Sequence, residues 1–187
     1  LKMLQNKIIG NIRIFRANFG FPPLQKNNFR YNDKIGGGAL LDVAGYVVRV
    51  VHFILGNDFI VKASNLYISP LSRTNIYGSA FLSNDKGVTA QIGFGMDNFY
   101  QCNYEIWGSL GKIVVEKAFT LGPSFKPKII VEKKDKIKEY ILDADNHFDG
   151  SLNNFYKTIV MKNQNKHYQQ IILQSKTLDD IKKYSKY

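Results

Sequence analysis

The chain has 187 residues, 44% of them hydrophobic and 22% charged, with a formal net charge of +11. That composition suits one ordinary folded domain with a sizeable core, and the apolar runs are too short or too interrupted to span a bilayer. A lone cysteine, Cys102, excludes an intrachain disulfide, and the three scattered histidines, His52, His147 and His167, lack metal-ligand spacing. A single soluble domain over 1–187 is expected, cytoplasmic and without a metal.

The basic charge raises the question of nucleic acid, because clustered lysine and arginine release phosphate counterions. Clustering decides the matter. Residues 1–56 hold 8 basic and 2 acidic residues, 57–125 hold 5 and 5, and 126–187 hold 13 and 8. The excess is split between two ends with no long basic run or recognition motif, so no nucleic-acid partner is expected.

In chain order, Leu1 to Asn6 reads as the last turns of a helix, followed by a strand in "KIIGNIRIFRANFGF". A chain that begins inside an element reads as the later part of a longer polypeptide, or as a domain trimmed of a disordered start. Next comes "GGGALLDVAGYVVRVVHFILG", which predicts a helix from Ala39 to Leu55 with Gly56 after its C-terminus. From Phe59 to Leu142 the apolar pattern is short and strand-like. It is clearest in "VTAQIGFGM", where Val88, Ala90, Ile92, Phe94 and Met96 alternate with small or polar residues. The turns "SNDKG", "GSLG" and "KKDK" join successive strands too tightly for a crossover, so those pairs are antiparallel. Lys126 to Lys138 reads as an exposed hairpin with solvated charge. After Asn146, apolar spacing of three and four predicts two closing helices, the second open to a break at Thr177 in "TLDD". The fold class is α+β, a largely antiparallel mixed sheet with helices packed on one face.

The Ala39–Leu55 helix is nearly all apolar, yet it carries Asp42, Tyr46 and Arg49 at i, i+4 and i+7. At about 100° per residue these fall within roughly 60° of arc. A buried Asp without partners is costly, so the stripe either meets polar groups of its own fold or lines a cleft. The plain structural account is an Asp favoured by the helix dipole, a core Tyr and a rim Arg.

The segment "NNFRYNDKIGGGALLDVAGYVVRVVHFILG" resembles the opening of the C-terminal domain of the Gfo/Idh/MocA oxidoreductases, and "FGMDNFYQCNYEIWGSLGKIVVEKAF" is similar to a strand-turn-strand block of that family's keto-sugar reductases. The resemblance runs from Leu1 through "QQIILQSKTLDDI". One departure is local: the family's Gly two residues after the Asp is Ala44 here, with the Gly at Gly45. Another is larger, since neither G-x-G-x-x-G nor the family's E-K-P motif occurs in these residues, so the N-terminal dinucleotide-binding domain is absent from this chain.

The resemblance implies a substrate-binding and oligomerisation domain of an NAD(P)-dependent oxidoreductase acting on a keto-sugar or nucleotide-sugar. A free-standing remnant of that fold, binding a sugar or partner subunit without catalysis, is the alternative. NAD or NADP would be bound by the full-length protein and no cofactor by this chain. Tyr46 would be the proton donor, with a phenol near 10 in water brought toward working pH by the family's lysine, and Asp42 would orient hydroxyls or that lysine. Arg30, Arg49, Asp97, Asn98 and Tyr100 are the substrate-binding candidates, in a polar, aromatic block that also holds Gln101, Asn103 and Tyr104. The open sheet face is expected to join a homo-oligomer.

Overall fold

The computed structural model describes residues 1–162 and 164–185. The chain starts with a short helix, α1 (Lys2–Gln5), then β1 (Ile12–Gly20). Two 3-10 turns, Phe29–Tyr31 and Asp33–Ile35, lead into α2 (Ala39–Asp42) and α3 (Ala44–Leu55). Seven strands follow: β2 (Ile60–Ile68), β3 (Asn75–Ser83), β4 (Thr89–Gly95), β5 (Gln101–Gly108), β6 (Lys112–Val115), β7 (Lys128–Lys133) and β8 (Lys136–Ile141). Two helices end the described chain, α4 (His147–Val160) and α5 (Asn165–Tyr184).

All eight strands form one sheet in the order β2-β3-β4-β1-β5-β6-β7-β8. β1 pairs in parallel with β4 and antiparallel with β5, and the remaining neighbours are antiparallel. The fold is therefore the mixed, largely antiparallel α+β sheet expected from the strand pattern. Its one parallel pair needs a crossover, and α2, α3, β2 and β3 supply it.

Alternation sets the two faces. Along β1, Phe15, Ala17 and Phe19 are buried under helices, while Arg16 and Asn18 point to the other, open face. α2 and α3 lie over β1, β3 and β4, and α5 lies over β2 and against α3. Val43, Val47, Val48, Val50 and Val51 are buried in that layer. β-branched residues are poor intrinsic helix formers, so packing against the sheet carries this helix.

Three local expectations are corrected. The segment Ala39–Leu55 is two helices rather than one, with the stretch Asp33–Asp42 set at 42° to Ala44–Leu55 across Val43, where Tyr46 N donates to Val43 O in an i to i−3 bond. α5 runs unbroken through Thr177, because that hydroxyl donates to Leu173 O one turn back instead of capping a new start. α4 was expected to close the domain, yet none of its residues is buried.

Candidate active site at the end of the covered face

The triple glycine builds the first part of the site. Gly37 N donates to Asn32 O and Gly38 N to Arg30 O, both at 2.9 Å, folding the loop that carries Arg30 back onto the start of α2. A Cβ on Gly37 would stand 2.5 Å from Arg30 O, and Gly38 has φ +118°, a region that residues with a side chain rarely adopt. Asn75 Oδ1 accepts from Leu40 N at 2.6 Å and anchors α2 to β3. The product is an ion pair: Arg30 Nε donates to Asp42 Oδ2 at 2.6 Å, with both side chains about three-quarters buried. The guanidinium also stacks on Phe29, its carbon 4.6 Å from the ring centroid.

Tyr46 lies four residues after Asp42, past the break at Val43 and in the first turn of α3. Its ring packs edge-on against Phe19 at 5.0 Å and tilted against Phe119 at 6.0 Å. The residue is 43% exposed, and among the described residues its hydroxyl makes no hydrogen bond. It is a phenol held by its ring and free at its tip.

Phe119 is held in turn by Cys102, whose Sγ donates to Phe119 O at 3.0 Å and accepts from Phe119 N at 3.1 Å. Tyr100 stands beside the same thiol. Its hydroxyl is pushed up to about 12, first by desolvation and then by the neighbouring Cys102 side chain. Tyr100 is thus a neutral donor at physiological pH, 42% exposed. Neither Cys102 nor Phe119 stood out in the sequence, because nothing local marks a loop that a thiol ties down.

The other candidates lie elsewhere. Arg49 turns to α5, where its Nη2 donates to Gln170 Oε1 at 2.6 Å. The break at Val43 lies between Asp42 and both Tyr46 and Arg49, so the predicted stripe does not run along one helix. Asn98 is tied through its backbone N–H to Phe21 O at 3.0 Å, and its side chain lines an open-face hollow of about 410 Å³ with Asn18, Tyr77 and Gln101. Asp97 is exposed beside it. Asn18 donates to Asn103 Oδ1 at 3.4 Å on that face. The Ala44–Gly45 exchange has a packing reason: Ala44 is fully buried, and Gly45 lets Gln174 of α5 approach and donate to Gly45 O at 3.1 Å.

A carboxylate fixed by a guanidinium, with a free phenol four residues on beside aromatic rings, can orient a polyhydroxylated ligand and give a proton to one of its oxygens. Residues 1–114 match the family model described as the GFO/IDH/MocA C-terminal domain, and the chain belongs to that family.

The chain is similar to dTDP-3,4-didehydro-2,6-dideoxy-alpha-D-glucose 3-reductase of Saccharopolyspora spinosa, 37% identical over 158 residues that cover 84% of this chain and 47% of the relative. The enzyme of the same name from Actinomadura kijaniata is 34% identical over 158 residues, covering 84% and 48%. A solved 3-ketoreductase from Actinomadura kijaniata, in complex with NADP and TDP-benzene, superposes with a TM-score of 0.96 at 30% identity over 99% of this chain and 57% of that one. The chain spans about half the length of the curated relatives it matches.

Proposed function

We propose that this chain is the substrate-binding part of an NADP-dependent reductase that acts on the keto group of a nucleotide-linked deoxysugar. The observation that carries the reading is Tyr46, a phenol gripped by Phe19 and Phe119 with its hydroxyl unengaged among the described residues, four residues after the Asp42 of the Arg30–Asp42 pair. Similarity to 3-reductases of dTDP-linked keto-sugars supports the substrate class.

A reduced nicotinamide supplies hydride to a carbonyl carbon when it is bound. These residues lack a glycine-rich dinucleotide loop, so the cofactor belongs to a separate domain, and the chain's own groups fit the substrate side of that reaction. Tyr46 donates the proton that the carbonyl oxygen requires and recovers it from solvent. Asp42, kept in place by Arg30, accepts hydrogen bonds from sugar hydroxyls. Tyr100 donates a second one as a neutral phenol. Phe119 offers the apolar face on which a sugar ring rests and from which water is excluded.

The open face supports a homo-oligomer. It carries a polar row across three strands, Gln91, Arg16 and Glu105, linked at 3.2 and 3.4 Å, flanked by the partly exposed aromatics Phe81 and Trp107. A second copy laid sheet to sheet would pair these rows. Sedimentation at tens of micromolar reads this directly, and a monomer there rejects it.

Function is tested by joining the chain to the remaining part of the Actinomadura kijaniata 3-reductase and following NADPH oxidation with a dTDP-linked 3-keto-deoxysugar. Turnover that falls sharply with Tyr46→Phe is expected. A joined protein that binds NADPH and sugar nucleotide without turnover assigns the chain to a non-catalytic binding role instead.

A further inference from the structure

Asp42 and Tyr46 lie on either side of a break, so the regular geometry of one helix does not fix their relation. α2 ends at Asp42 and α3 begins at Ala44, with no side-chain cap at Val43 and Tyr46 N donating to Val43 O at 3.2 Å. Within an unbroken helix, residues four apart keep a constant offset. Across a break, each half needs an anchor of its own.

Each half has one, an amide side chain brought from far along the chain. On the Asp42 side, Asn75 at the start of β3 accepts from Leu40 N at 2.6 Å, taking up a first-turn N–H that has no partner within α2. Gly38 leaves room for it, because a Cβ there would stand 2.6 Å from the same amide. On the Tyr46 side, Gln174 in the middle of α5 donates from Nε2 to Gly45 O at 3.1 Å. Gly45 lets that amide approach, since an added Cβ would stand 3.2 Å from Nε2. The first turn of α3 is thus held on two neighbouring sides. α5 grips it at Gly45, and Phe19 and Phe119 grip it at Tyr46. Rotation of this turn about its axis would swing the Tyr46 hydroxyl, and the Gln174 bond opposes it.

We propose that Gln174 and Asn75 are positioning residues of the candidate site: Gln174 sets the Tyr46 hydroxyl through Gly45, and Asn75 sets the Asp42 carboxylate through the start of α2. Each acts through the backbone of the helix it holds. The inference rests on the reductase reading, in which Tyr46 gives the proton and Asp42 binds sugar hydroxyls. The two anchors therefore divide, Gln174 acting on turnover and Asn75 on substrate binding. A general loosening of the fold would not divide this way.

The test combines kinetics of the joined reductase with NMR of the 187-residue chain labelled at its tyrosine rings, in which Tyr46→Phe identifies the Tyr46 signal. Gln174→Met and Gln174→Glu, measured at pH 8, both remove the donor, so either one that folds suffices. Each is expected to shift the Tyr46 signal, because the ring currents of Phe19 and Phe119 depend on where that ring sits. Each should also lower kcat on the order of tenfold with KM within about twofold. Asn75→Leu is expected to raise KM about tenfold instead, and Asn75→Asp, which keeps the accepting oxygen, to restore it. Thr177→Val is the control. It removes the His52 contact between the same two helices and should lower stability while leaving kcat and the Tyr46 signal unchanged. An unmoved Tyr46 signal or unchanged kcat in a Gln174 variant overturns the proposal, as does unchanged KM in Asn75→Leu. So does an equal loss of kcat in Thr177→Val, or failure of both Gln174 variants to fold, either of which makes the contact merely structural. A shifted Tyr46 signal in the Gln174 variants with no turnover in the joined wild type upholds Gln174 as the anchor of Tyr46 and rejects the reductase reading.

Discussion

Arg30 Nε stands 2.6 Å from Asp42 Oδ2 because two glycine amides fold one loop onto the other. The pair is the firmest polar contact at the candidate site, and its partial burial makes the loss of one partner felt. Arg30→Met should lower the melting temperature by about 2–4 °C, the equivalent of roughly 1 kcal/mol for a chain of this size. Thermal unfolding measures it. A variant as stable as the wild type would mean that Asp42 is positioned by other contacts.

Tyr46→Phe separates packing from chemistry. The ring keeps Phe19 and Phe119, and the hydroxyl gives up no hydrogen bond within the described residues, so stability should change by no more than about 0.5 kcal/mol. In the joined enzyme kcat should fall on the order of 10²- to 10⁴-fold. Loss of stability with normal turnover would make Tyr46 a core residue.

Backbone space at the triple glycine gives a third test. Gly37→Ala places a Cβ 2.5 Å from Arg30 O, and backbone cannot swing aside as a flexible side chain can. Destabilisation of about 2 kcal/mol or more is expected, with loss of the Arg30–Asp42 pair. Gly122→Ala, with nothing within 4 Å of its added carbon, is the control and should be nearly neutral. Urea midpoints for the two variants settle it.

His52 adds a pH dependence. It is buried between α3 and α5, with Nε2 3.0 Å from Thr177 Oγ1 and Nδ1 3.4 Å from Gly56 O. Desolvation lowers its pKa below the ordinary 6.5, the Gly56 carbonyl opposes that shift, and the Arg49 charge adds to it. The folded chain therefore refuses a proton that the unfolded chain accepts below 6.5. Its contribution to stability is full above that value and falls with pH, by at most about 1.4 kcal/mol per pH unit, until the folded pKa is reached. The difference in urea midpoint between wild type and His52→Gln should shrink from about pH 7.5 to about pH 5.5; a constant difference excludes His52 as the titrating group.

Local rules carried a good part of the fold. Period-two alternation in "VTAQIGFGM" is visible without any partner, because the pleat puts successive residues on opposite sides whatever lies beside them, and β4 appears there as Thr89–Gly95. The hairpin turns and the all-apolar helix after three glycines are equally local, since each depends on φ, ψ and side-chain direction within a few residues. Asp42 and Tyr46 were picked out by their i, i+4 spacing, whereas Arg30 was named only through the family resemblance, and its pairing with Asp42 12 residues on is a tertiary contact.

Tertiary contacts decided the rest. The parallel pairing of β1 with β4 joins residues 75 apart in the chain, as in the Arg16–Gln91 contact, and no short-range pattern encodes such a partner. Arg49 lies on the predicted stripe, but Gln170 arriving from α5 engages it. Thr177 carries a capping signal that His52 and the Leu173 carbonyl override. Asn98 and Tyr100, two residues apart, divide between the open-face hollow and the Cys102 thiol on the covered side. Both precede β5, which starts at Gln101, and pairing with β1 fixes where β5 begins and which way it faces. Sequence spacing sets direction only while the backbone stays regular, and at bends and strand starts the free energy of packing against distant elements sets it instead.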